Sequence, residues 1–179
     1  SEVIKLDLAN AAARLQGVHD NRLRISAFSG SGIETTFTQG EDQCLASMVP
    51  DLPELEAGSQ RLMVVGTLAD IVEEQFRRHF AQLGIVDVDF FPAARADDLP
   101  PVGPGTRLLL AQPFVSDTVS ALCKRGAKVI PSLYPLGVQG TLAWFQAAAA
   151  EWGKSADSVS EALAIPVARA QKALSRVRE

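Results

Sequence analysis

The chain has 179 residues, 47% of them hydrophobic, and a formal net charge of −4. That length suits one domain with a sizeable core, and the acidic balance argues against a general nucleic-acid surface. No stretch approaches the ~20 apolar residues of a membrane-crossing helix, and no signal-peptide pattern opens the chain.

The first residues, SEVIKLDLANAAARLQ, repeat Ile4, Leu8, Ala11 and Leu15 at helical spacing. There is no initiator methionine, so the chain reads as a piece of a longer protein. RLRISAFS (22–29) reads as a strand. The Gly/Ser/Thr-rich loop SGSGIETT follows it. GEDQCLASMV (40–49) reads as a short helix with acids in its first turn, where the helix dipole favours them. PDLPELEAGSQ is a connector, and RLMVVGT (61–67) is an apolar run of the kind found in a strand covered on both faces. LADIVEEQFRRHFAQLG is the clearest helix. Its buried stripe is Val72, Phe76, Phe80 and Leu83, its i,i+4 pairs are Glu73–Arg77 and Glu74–Arg78, and Gly84 is its stop. VDVDFFP (86–92) is a strand and ARADDLPPVGPG a proline-rich loop. RLLLAQ (107–112) is a strand, VSDTVSALCKRG a helix, AKVIPS (127–132) a strand and TLAWFQAAAAEWG a helix. The alanines 147–150 suit a close-packed helix face.

Strands alternating with helices at this spacing predict an α/β fold with a doubly wound, mainly parallel sheet, helices on both faces and a C-terminal helical extension. Such sheets bind ligands at the carboxyl ends of their strands. Four segments fall there: SGSGIETT, Gly66-Thr67, Gln112-Pro113-Phe114 and Tyr134-Pro135-Leu136-Gly137.

Little in the chain announces chemistry. No lysine follows a glycine as in a Walker loop, and Gly30 and Gly32 lack the third glycine of a dinucleotide fingerprint, because Thr35 stands there. Cys44 and Cys123 are far apart and read as reduced, buried small hydrophobes with a structural role. His19 and His79 read as surface or boundary residues, and adjacent Asp97 and Asp98 point apart. No catalytic residue and no metal ligand is expected here. SADSVSEALAIPVARAQKALSRVRE resembles a helix–turn–helix, with Pro166 opening a second helix that carries Arg169, Lys172, Arg176 and Arg178. With Asp157 and Glu161 beside it on an acidic domain, a connector or packing hairpin is the preferred reading. A stand-alone flavodoxin-like small-molecule-binding domain and a DNA-binding regulator acting through 155–179 both stay open.

Five stretches go further. SEVIKLDL, SGSGIETTFTQGED, VGTLADIVEEQF, DDLPPVGPGTRLLLAQPFVSDT and YPLGVQGTLAWF together resemble the N subunits of the light-independent (dark-operative) protochlorophyllide reductases, a nitrogenase-like family. The resemblance covers nearly all of 1–153 and is weaker over 154–179. It implies that 1–153 is the Rossmann-like middle domain of such a subunit. Residues 1–16 would continue from an N-terminal domain, and 154–179 would be a helical connector toward a third. It implies a 4Fe-4S cluster in the full complex, held by three cysteines upstream of this region and an aspartate of the B subunit. Cys44 and Cys123 match none of those positions, so the chain itself would hold no cluster and be inactive alone. The resemblance further implies an N–B heterotetramer fed by an ATP-binding reductase component, the L protein. That complex reduces ring D of protochlorophyllide to chlorophyllide in photosynthetic pigment biosynthesis. It would work in a bacterial cytoplasm or chloroplast stroma, with no nucleic-acid partner. On this reading Ser29, Gly30, Ser31, Gly32 and Thr35 form a loop near the cluster or pigment, or on the face that meets the other subunits, contributing neutral hydrogen-bond donors rather than ligands; a tight interdomain packing segment is the alternative.

Overall fold

The computed structural model describes residues 7–18, 25, 36–95 and 97–177. The chain divides into two compact units, Ser1–Leu52 with Phe114–Lys124, and Pro53–Pro113 with Arg125–Glu179.

The second unit holds the sheet. Its strands are β1 (Arg61–Val65), β2 (Val88–Phe91), β3 (Thr106–Leu110) and β4 (Lys128–Val129). Every pairing is parallel, in the order β2-β1-β3-β4. The α/β, parallel, Rossmann-like expectation holds among the described residues. The predicted strand 22–29 lies mostly outside them. Because β1 has β2 on one side and β3 on the other, the order reverses between β1 and β3, the switch point of a doubly wound sheet.

Central position explains the composition of β1. Leu62, Met63, Val64 and Val65 are all fully buried, so neither face can carry a polar residue. Edge strand β4 is exposed and short. Ile130 still donates to the Leu108 carbonyl at 2.8 Å, but Pro131 has no N–H to extend the ladder, which shortens the strand expected over 127–132.

Helices α3 (Asp70–Gln82), α5 (Gly137–Glu151), α6 (Ala156–Ala162) and α7 (Ala164–Ser175) complete this unit. Phe80, Leu83, Trp144, Phe145, Ala148 and Ala149 join Leu62, Val64, Phe90 and Leu109 in one core. Ala148 and Ala149 of the alanine run thus pack closely, as its composition suggested, while Ala150 is exposed. Phe80 and Phe145 have ring centroids 4.7 Å apart, and Trp144 and Phe145 meet edge to face at 5.1 Å. The Trp144 indole N–H donates to the Leu110 carbonyl at 2.8 Å, so the buried polar handle also ties α5 to the end of β3. Gly84, at φ +75°, ends α3, and Ile85 N–H reaches back to the Phe80 carbonyl at 2.9 Å.

One of the two predicted ion pairs forms. Arg78 meets Glu74 at 3.0 Å. Arg77 instead donates to the Val88 carbonyl at 2.6 Å and lies over the Phe90 ring at 4.9 Å. A strand-end carbonyl and a ring face offer a guanidinium more here than the Glu73 carboxylate does.

The first unit contains α1 (Leu8–Val18), α2 (Phe37–Met48) and α4 (Ser116–Lys124). Helix α2 starts three residues before the expected Gly40. Thr36 and Gln39 form a capping box: Thr36 Oγ1 accepts from Gln39 N–H at 3.3 Å, and Gln39 Oε1 accepts from Thr36 N–H at 2.8 Å. Glu41 and Asp42 therefore fall in the second turn, not the first.

Candidate functional site

Ser29, Gly30, Ser31, Gly32 and Thr35 lie outside the described residues. What the structure describes is the end of that stretch, where Thr36 caps α2. His19 also lies outside the described residues.

The carboxyl edge at the switch point is described. Parallel register sets Val65 beside Leu110. Gly66 and Ala111 continue the ladder: Gly66 N–H donates to Phe91 and Ala111 N–H to Val65, each at 2.9 Å. Gly66 then turns at φ +144°. A Cβ there would stand 3.1 Å from Gln112 Cγ and 3.2 Å from Ala111 Cβ, so geometry and space both call for glycine.

That turn presents Thr67 to the Gln112 amide. Thr67 N–H donates to Gln112 Oε1, and Gln112 Nε2 donates to the Thr67 carbonyl, both at 3.1 Å. The crevice between β1 and β3 is thereby bridged by a neutral, two-way clamp. Such a group orients backbone and does not titrate. Sequence position singled out Gly66-Thr67 and Gln112-Pro113, and the structure brings Gly66, Thr67 and Gln112 together. Beyond β4, Leu133 and Leu136 are exposed, and Leu136 N–H closes a tight turn onto the Tyr134 carbonyl at 2.7 Å.

The groups with titrating or ligating chemistry are scattered. His79 Nδ1 pairs with Gln82 Oε1 at 3.1 Å and meets the Phe145 ring edge to face at 5.8 Å, a boundary residue as expected. The cysteines are not the buried pair expected from sequence: Cys44 on α2 is half-buried and Cys123, near the end of α4, is exposed, both with free thiols. Among the described residues no group of three or more His, Cys, Asp or Glu could hold a metal ion. Asp97 pairs loosely with Arg95 at 3.6 Å on the surface. Burial raises the Glu73 carboxyl above its ordinary range, Asp70 adds to this, and Arg77 partly offsets it.

A polar cluster around Asp42 was not legible in sequence. Asp42, 5% exposed, accepts at 2.8 Å from the N–H of Asp117 and at 2.8 Å from that of Thr118. It also accepts from the Thr118 hydroxyl at 2.6 Å, and the Ser116 hydroxyl lies 3.4 Å away. Burial pushes this carboxyl up, but the bonds from the Thr118 side chain, the two backbone N–H groups and Ser116 together hold it below the ordinary range. It caps α4 from α2, across 75 residues of sequence. Only the Ser-Asp-Thr opening of α4 hinted at a cap.

At the C-terminus α6 and α7 are separated by Leu163 alone. Ser155 caps α6, accepting from Ser158 N–H at 3.2 Å. Pro166 is the third residue of α7 rather than its opening residue, because the helix already begins at Ala164. Arg169 and Lys172 are exposed, and Arg178 lies outside the described residues.

Comparison with known proteins agrees with this scaffold. The family described as nitrogenase component 1 type oxidoreductase matches residues 1–179. Proteins named light-independent protochlorophyllide reductase subunit N are among the relatives. That of Halorhodospira halophila is 53% identical over 99% of this chain and 42% of its own length. Those of Rubrivivax gelatinosus and Bradyrhizobium sp. (strain ORS 278) are each 54% identical over 99% of this chain, and 41% and 42% of theirs. The chain thus spans about two-fifths of the length of these relatives. With its parallel α/β sheet and full-length match, the chain belongs to the nitrogenase component 1 type oxidoreductase family.

Proposed function

We propose that this chain is the middle part of the N subunit of an ATP-dependent, light-independent protochlorophyllide reductase, which reduces ring D of protochlorophyllide to chlorophyllide. The observation that carries this reading is identity above 50%, over 99% of the chain, to several subunits of that name. Residues 1–153 would be its Rossmann-like middle domain and 154–179 a connector. The B subunit and the L protein would be its partners, and the cytoplasm or stroma its compartment.

The complex would use a 4Fe-4S cluster. The residues present do not fit one: this chain has two cysteines, one half-buried and one exposed, against the usual four-ligand shell. The chain's own contribution is the scaffold. The Gln112 clamp fixes the switch-point edge, and the Thr36–Gln39 box fixes where the preceding loop must end. Ser29, Gly30, Ser31, Gly32 and Thr35 would border the reducing site. Small neutral residues let a backbone approach closely and donate hydrogen bonds without titrating.

The test is turnover of the reconstituted N, B and L system, with thermal melting of each variant. Ser31→Asp places a negative charge beside a site that must accept electrons, so it should assemble and melt normally yet turn over slowly. Ser31→Ala removes at most one hydrogen bond, worth about 0.5–1.5 kcal/mol, and should be mild. If Ser31→Asp loses stability, assembly and activity in step, the loop is a packing segment. If the unaltered full-length subunit supports no reduction of protochlorophyllide, the functional reading itself fails.

A further inference from the structure

We draw no further inference here: the strongest candidate, the surface patch of exposed Ile71, Leu133 and Leu136 at the carboxyl edge of the sheet, carries nothing because nothing in the structure shows what covers it.

Discussion

Replacing Asp42 should destabilise the chain more than any nearby surface change. In Asp42→Ala the Thr118 hydroxyl keeps a partner, because it also reaches the Asp42 carbonyl at 3.1 Å. The Thr118 N–H does not. It is buried at the start of α4, and an orphaned buried donor costs about 1–3 kcal/mol. Losing a carboxylate at a helix N-terminus adds about 0.3–1 kcal/mol, so roughly 1.3–4 kcal/mol is expected in total. Asp42→Asn retains one acceptor oxygen and should lose about half of this. The same bonds make the effect depend on pH. The folded carboxyl is held below its ordinary range, so its contribution is complete above the unfolded value of about 3.9 and is lost as pH falls through the lower folded value. Urea unfolding of wild type, Asp42→Asn and Asp42→Ala at pH 7 and at pH 3 measures this. The gap between wild type and Asp42→Asn should narrow at pH 3. A cost under about 1 kcal/mol for Asp42→Ala, or a gap that does not change with pH, would refute the reasoning.

The switch-point clamp makes two further predictions. Gln112→Ala removes two hydrogen bonds in a half-buried position and should cost about 1–2 kcal/mol in urea unfolding; a neutral result would show that water replaces the amide. Gly66→Ala forces a Cβ onto a backbone at φ +144° and within 3.2 Å of Ala111 Cβ, so a loss of about 1–3 kcal/mol is expected, and an unchanged melting temperature would contradict that geometry. Incubating the 179-residue chain with iron and sulfide should produce no visible charge-transfer absorbance, because Cys44 and Cys123 cannot complete a ligand shell; stoichiometric cluster uptake would sink the proposal that the ligands lie elsewhere in the subunit.

The local pattern of the chain determined the strands and helices of the sheet-bearing unit. Uninterrupted burial made RLMVV legible as a central strand, and the stripe through Phe76 and Phe80 made α3 legible, because burial of a whole face leaves a period in the sequence. Exact words in five segments pointed to the family, which periodicity alone could not distinguish from other doubly wound sheets. Tertiary structure decided the rest. The start of α2 was set by a reciprocal cap between Thr36 and Gln39, three residues before the Gly40 start that first-turn acids suggested. Arg77 chose Val88 and Phe90 over Glu73 because the strand came within reach. The Gln112–Thr67 clamp joins residues 45 apart, and the Asp42 cap joins residues 75 and 76 apart. Hydrogen bonds between residues so distant leave no period in the sequence, since they depend on which chain ends the fold brings together rather than on the order of neighbours.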